Sequence, residues 1–228
     1  VFRPRVWLAV CNSGGMQPVW DLPLTAAGIV IELPQGGRVR IRPVRATDDE
    51  AIKIAFGRLS EESRYNRFFS ARSQLSDSLA TSLTDIDHTH HFAWGVFDPD
   101  AASEVGDESG LGVASARLIK DEDPSSAEAA LTVVDEYQRR GIGRFLTELL
   151  IATAADVGAE TLRFEILRQN RAMIGLVAGM GGERHEIEGD RSVVEYRLTV
   201  PPPSATAVPA GALYELLRHA ARSENPDA

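Results

Sequence analysis

Two hydrophobic rhythms alternate along the chain, and their order predicts its elements. Arg38-Val39-Arg40-Ile41-Arg42 places an apolar side chain at every second position, the period of a strand with one face in a core. Thr47-Asp48-Asp49-Glu50 then supplies a helix start, and Ile52, Ala55, Phe56 and Leu59 recur on one helical face. A second short helix is expected from Glu61 to Phe69, and a third from the cap residue Ser76 through Leu79 and Leu83. The period returns to that of a strand at HFAWGVFD (91–98) and, after the turn-rich DPDAASEVGDESG, at LGVASARLI (111–119), a hairpin with a long acidic loop. KDEDPSS leads into a third strand, from about Ala127 to Val134. Phe145, Leu146, Leu149, Leu150, Ala154 and Val157 make the apolar stripe of a longer helix, which Gly158 ends. TLRFEIL (161–167) reads as a strand, Asn170 caps a helix through Met173, Ile174, Val177 and Met180, and SVVEYRLTV (192–200) is the last strand.

The ends differ from this middle. Beyond Pro201-Pro202-Pro203 the composition turns to Pro, Ala and Ser, a linker, and residues 211–223 pattern as one more amphipathic helix with Leu213, Leu216, Leu217 and Ala220 together. That helix reads as a tail docking on its own domain or on a neighbouring subunit, which leaves a homo-oligomer open. The opening VFRPRVWLAVCNSGG admits a signal-peptide reading, although its apolar run is short and no small-residue cleavage pattern follows; the alternative is a start before the real domain, with Met16 opening it. The expected division is therefore an extension over residues 1–37, a domain over 38–200, and the linker and helix over 201–228.

Composition narrows the functions available. At 228 residues with 43% hydrophobic and 25% charged positions, the chain suits one main globular domain. A formal charge of −9, from 24 basic and 33 acidic residues, argues against a broad grip on nucleic acid and favours a basic partner. Cys11 alone makes neither a disulfide framework nor a thiolate-rich zinc site, which fits a reducing cytoplasm. No run nears the roughly 20 apolar residues needed to span a bilayer. Asp87-His88-Thr89-His90-His91 lacks a helical His-x-x-x-His pair and a Cys partner, so no metal is expected there.

The candidate chemistry lies in VVDEYQRRGIGRFLTELL (133–150), where a strand meets a helix through two glycines. A nucleotide P-loop needs G-x-x-x-x-G-K and then Ser or Thr, and neither the spacing nor those residues occur. The dinucleotide fingerprint needs a third glycine where Leu146 stands. What remains is Gln138-Arg139-Arg140-Gly141-Ile142-Gly143, whose amide hydrogens converge at the positive end of the helix dipole, with Arg144 following. Gly141 and Gly143 clear the approach, and the three arginines add charge suited to a pyrophosphate; the alternative is a surface turn with solvated arginines.

With Gln138, Gly141 and Gly143 at that spacing, the sequence resembles the GNAT (Gcn5-related) N-acetyltransferases, and the order of elements follows that family over about residues 38–200. The segments RIRPVRATDDEAIKIAFGRLSEESRYNRFFS and AEAALTVVDEYQRRGIG look most like catalytic domains of bacterial Pat-type protein lysine acetyltransferases. Those enzymes often carry a regulatory domain for which this chain has no room, so the resemblance leaves both the regulation and the protein substrate open. The resemblance implies an α+β fold, a mixed and mostly antiparallel twisted sheet with helices on both faces. It implies acetyl-CoA as cosubstrate, with its pyrophosphate on the loop from Gln138 to Arg144, its pantetheine along Leu131, Thr132, Val133 and Val134, and Asn170 in contact with it.

Acetyl transfer to an amine needs that amine neutral, and a free lysine has a pKa near 10.4, so a base is required. By the resemblance the base is Glu128, which on pattern alone sits on the polar side of a half-buried strand; partial desolvation in the cleft would raise its pKa. Glu136 is the runner-up. The resemblance also implies that the amide of Val133 or Val134 meets charge on the carbonyl oxygen; the tyrosine that many members of that family use to protonate the thiolate has no counterpart at 175–188, so the general acid is unassigned. The favoured acceptor is a protein lysine; the alternatives are a small-molecule amine and an acyl-CoA-sensing module without catalysis.

Overall fold

The computed structural model describes residues 9–12, 15–18, 27–33 and 37–202. A two-stranded hairpin comes first, β1 (Ala9–Asn12) with β2 (Gly15–Pro18). The main sheet is built from β3 (Ile29–Glu32), β4 (Arg38–Pro43), β5 (His91–Asp98), β6 (Leu111–Lys120), β7 (Ser126–Val133), β8 (Thr161–Leu167), β9 (Glu183–Glu186) and β10 (Val193–Thr199). Its order is β3-β4-β5-β6-β7-β8-β10-β9, antiparallel throughout except for the parallel pair β7 and β8. The helices are α1 (Asp49–Gly57), α2 (Glu61–Phe68), α3 (Asp77–Thr84), α4 (Ile142–Asp156) and α5 (Arg171–Gly179). Among the described residues no helix is long and apolar enough to cross a membrane.

The expected α+β architecture is the one observed, and the alternation of side chains along β7 shows how its two layers form. Ala127 and Ala129 join the larger core with Trp94, Leu118, Leu146, Leu150 and Phe164, which seats α4. Val134, at odd spacing from them, points the other way into a second cluster of Phe56, Leu59, Leu75 and Ala80 under α1 to α3. Leu146 and Leu150 are fully buried, each worth roughly 1.5–3 kcal/mol over exposure. Trp94 keeps its indole N–H satisfied on Thr153 Oγ1 at 3.2 Å.

A buried cation anchors the helix layer. Arg42 is 1% exposed and bonds both carboxylate oxygens of Asp48 at 2.7 and 2.8 Å, with Ser109 Oγ on its Nε at 2.8 Å and the Phe97 ring beneath at 4.4 Å. Asp48, expected only as part of a helix start, thus joins β4 to the turn before α1, and its side chain also accepts from Arg45 N. α2 and α3 begin where expected, with Ser60 and Ser76 accepting from Ser63 N and Leu79 N.

Three features lie outside the sequence expectation. β3 adds an edge strand to β4, with Ile29 opposite Ile41 and Ile31 opposite Val39, from a segment read as extension. β9 is Glu183-Arg184-His185-Glu186, an all-polar edge with no alternation to reveal it. The β1–β2 hairpin spans Met16. The helix expected at 211–223 and the linker after residue 202 lie outside the described residues.

Candidate active site

The site begins where the sheet opens. β7 pairs with β8 only at Ser126, Ala127 and Glu128, opposite Thr161, Leu162 and Arg163; beyond these β7 runs on to Val133 and β8 to Leu167 without pairing. The backbone of β7 facing that wedge follows from its ladder with β6. Val134 N donates to Val113 O at 2.9 Å, and the register sets Val133 opposite Ala114 and Thr132 opposite Ser115. Hydrogen-bonded pairs alternate in an antiparallel ladder, so Val134, Thr132 and Ala130 turn their peptide groups to β6 and Val133, Leu131 and Ala129 turn theirs into the wedge. The expectation for Val134 is thereby corrected: its amide is committed to Val113 and its side chain is 2% exposed in the helix-side core. Val133 keeps a wedge-facing amide, while its carbonyl accepts from Gln138 Nε2 at 3.1 Å.

At the end of β7 the glycine turn opens into α4. Gly141 is the N-cap at φ 87°, ψ −8°, and Arg139 has φ 58°, left-handed conformations that turn successive amides to one side. Gln138 N donates to Asp135 O, and the first helical bond runs from Phe145 N to Gly141 O. Between them the amides of residues 139–143 have no partner among the described residues. Gly143 faces α5 with little room to spare, since a Cβ there would meet Leu176 at 3.4 Å.

A cleft of about 1010 Å³ runs from this turn along the wedge to the outer face of the sheet. Its walls bring together Glu128, Leu131, Thr132, Val133, Gln138, Arg139, Gly141, Gly143, Arg144 and Asn170, all expected from sequence. Three expected residues do not line it: Val134, Ile142, which is 2% exposed in the main core, and Arg140, whose guanidinium lies 4.6 Å over the Tyr137 ring. Arg144 is paired with Glu148 at 3.0 Å, and Asn170 caps α5 by accepting from Met173 N at 3.0 Å.

Glu128 stands at the cleft mouth, exposed rather than partly desolvated. Across the wedge Glu165 joins it, and burial, reinforced by the Glu128 charge, pushes the Glu165 carboxyl up from its ordinary value. Arg67 of α2 lies on the same wall, and its desolvated guanidinium feels the field of Glu128. The runner-up Glu136 points elsewhere, to Arg58 at 2.9 Å. No tyrosine among the described residues lines the cleft, and Tyr137 commits its hydroxyl to Asp98 at 2.8 Å.

Asp135, which pattern reading passed over, ties the turn to α2. Its carboxylate accepts from Ser60 N, Ser60 Oγ and Ser63 Oγ at 2.9, 2.7 and 2.9 Å, and Ser63 Oγ also receives Gln138 Nε2 at 3.2 Å. Burial alone would raise this carboxyl; the hydrogen bonds from Ser60 and Ser63 outweigh it and hold it below the usual range. Glu165 had a signal, the alternation of TLRFEIL that sets Thr161, Arg163 and Glu165 on the face away from Leu162, Phe164 and Ile166, whereas nothing in the spacing of Asn66 or Arg67 places them at the wedge. The histidine run folds around Asp87, whose Oδ1 accepts from the amides of Thr89, His90 and His91, away from the cleft.

Comparison with known proteins follows the same outline. Residues 38–183 match the family model described as the acetyltransferase (GNAT) domain. Over 177 residues the chain is 32% identical to Acetyltransferase Pat of Mycolicibacterium smegmatis, a match covering 76% of this chain and 49% of that protein, so the chain spans about half the length of that relative. It is 29% identical over 171 residues to Acetyltransferase PA5475 of Pseudomonas aeruginosa, covering 75% of this chain and 89% of that one. Its fold superposes on the GNAT domain of S. lividans PAT with a TM-score of 0.66 at 24% identity, over 76% of this chain and 97% of that chain.

Proposed function

The chain belongs to the GNAT family of N-acetyltransferases, and from that premise we propose that it moves the acetyl group of acetyl-CoA to the side-chain amine of a protein lysine. The observation that carries this reading is the continuity of one cleft from the unpartnered amides of residues 139–143 to the carboxylate of Glu128. Its volume suits a large ligand, since ordinary ligand pockets run to about 1,000 Å³. The amides at the positive end of α4 would hold the diphosphate, and the wedge-facing peptide groups of Leu131 and Val133 would pair with the pantetheine arm.

In this arrangement Glu128 takes a proton from the acceptor ammonium, directly or through water, leaving a neutral amine. The amine nitrogen bonds to the thioester carbonyl carbon, the carbon–sulfur bond breaks, CoA departs as its thiolate, and the proton the nitrogen loses in becoming an amide passes to water. The Val133 amide faces the carbonyl oxygen and steadies its developing charge. Glu128 is exposed in the free protein, and the arriving lysine and acyl group together would remove water from it. A lysine acceptor is favoured by the two carboxylates at the mouth, Glu128 and Glu165, and by the overall charge of −9. Acetyl-CoA is a metabolite of the cytoplasm, where the reaction would run.

The test is to incubate the protein with labelled acetyl-CoA and either a lysine-rich protein or a panel of small amines. Label in protein lysines, identified by mass spectrometry, supports the proposal. Turnover of small amines alone would leave the acetyltransferase and remove the lysine acceptor.

A further inference from the structure

A second cavity lies beside the cleft, between α1, α3 and the sheet, with a volume of about 80 Å³. Its walls are largely carbon: Ile52, Ala55, Phe56, Leu75, Leu83 and Phe97. Of its polar neighbours, Asp48 bonds Arg42 at 2.7 Å and Arg117 bonds His91 Nε2 at 3.2 Å, and Arg67, Ser115 and Thr132 complete the polar part of the lining. Protein interiors seldom leave voids larger than a water molecule, and a dry apolar hole of roughly 150 Å³ accepts a ligand the size of benzene. A space about half as large admits a few methylene groups.

Its position gives it a use. Arg67, Phe68 and Thr132 line both this cavity and the cleft, so the two spaces share one wall. Thr132 lies next to Val133 and Leu131, whose amides face the wedge, and it turns its own side chain to the helix layer. An acyl carbonyl held by those amides would have its alkyl end beside Thr132, at the shared wall. We infer that the cavity is an acyl pocket, so that the protein accepts propionyl-CoA and butyryl-CoA as well as acetyl-CoA. This inference rests on the acetyltransferase reading and extends it to the class of acyl donor.

Initial rates with acetyl-, propionyl- and butyryl-CoA at a fixed lysine acceptor provide the test. The unaltered protein should use butyryl-CoA with kcat/KM within about tenfold of acetyl-CoA, roughly 1.4 kcal/mol. Ala55→Leu, which fills the cavity, should lower butyryl transfer by at least about tenfold and leave acetyl transfer within about twofold. Rejection of butyryl-CoA by the unaltered protein, an equal effect of Ala55→Leu on all donors, or a preference for succinyl-CoA over butyryl-CoA would overturn the inference. Should Ala55→Leu not fold, calorimetry of the unaltered protein with the thioether S-butyl-CoA decides. Affinity equal to or above that of CoA supports the pocket, and binding at least tenfold weaker excludes it. Loss of acetyl transfer itself from the unaltered protein would instead remove the acetyltransferase reading, so the two failures are told apart.

Discussion

Substituting Gly141 separates what the glycine turn does for the fold from what it does for a ligand. Gly141 sits at φ 87°, ψ −8°, where an L-residue costs roughly 1–2 kcal/mol. Gly141→Ala should therefore lower the melting temperature by about 2–8 °C for a chain of this size. It keeps every amide from 139 to 143, so CoA affinity should fall by no more than about threefold, under roughly 0.7 kcal/mol. Gly141→Asp adds the same backbone strain and a negative charge. A unit charge at roughly 5 Å from another contributes about 3 kcal/mol of repulsion at an effective dielectric near 20, which salt reduces. About 2–3 kcal/mol should remain, a further loss of roughly 30- to 150-fold in CoA affinity relative to Gly141→Ala. Isothermal calorimetry with CoA reads this difference directly. S-acetyl-pantetheine, which has no diphosphate, is the control, and its turnover should be the same in both variants. Equal CoA affinity in the two variants, or a matching loss with S-acetyl-pantetheine, would show that no diphosphate rests on this turn.

Other perturbations test separate parts of the account. Glu128→Gln should reduce kcat by about 10²–10⁴ while CoA affinity stays unchanged; normal turnover would move the base elsewhere, with Glu165 the next carboxylate in the cleft. Asp48→Ala removes the two-pronged partner of the buried Arg42 and leaves it Asp107 at 3.1 Å, so it should cost about 1–3 kcal/mol in chemical denaturation, whereas unchanged stability would contradict the anchoring role. Asp135 has a folded pKa held below the unfolded value of about 3.9, so its stabilisation is complete above roughly pH 4 and drains away as pH falls through the folded value. Asp135→Asn should be less stable than the unaltered protein at pH 7 and lose less stability between pH 5 and pH 3, as read from melting curves; an unchanged acid limb would contradict this.

Much of the architecture was legible because periodicity reports burial. The strands from β4 to β8, together with β10, and the helices α1, α3, α4 and α5 carry their apolar residues at the spacing their buried faces require, as Ile52, Ala55 and Phe56 do in α1. β9 was invisible for the opposite reason: an edge of Glu, Arg, His and Glu buries nothing and is held by backbone pairing to β10. The glycine turn was readable because only unusual backbone conformations require glycine next to bulky arginines. Resemblance supplied the role offered for Glu128, which pattern alone leaves on a polar strand face. Individual side-chain directions were not legible. Val134 and Val133 are adjacent in sequence, yet the ladder with β6 commits the amide of one and turns that of the other to the wedge. Asp135, Ser60 and Ser63 meet only because α2 folds back on the end of β7, a contact between residues far apart in sequence that no local spacing encodes.

Whether the amides of residues 139–143 seat the CoA diphosphate is decided by a crystal structure of the protein with CoA. Diphosphate oxygens are expected within hydrogen-bonding distance of those amides, about 2.7–3.2 Å, with the pantetheine arm alongside Leu131 and Val133. Density for the diphosphate at any other place on the molecule, with the amides of residues 139–143 left to solvent, would contradict it.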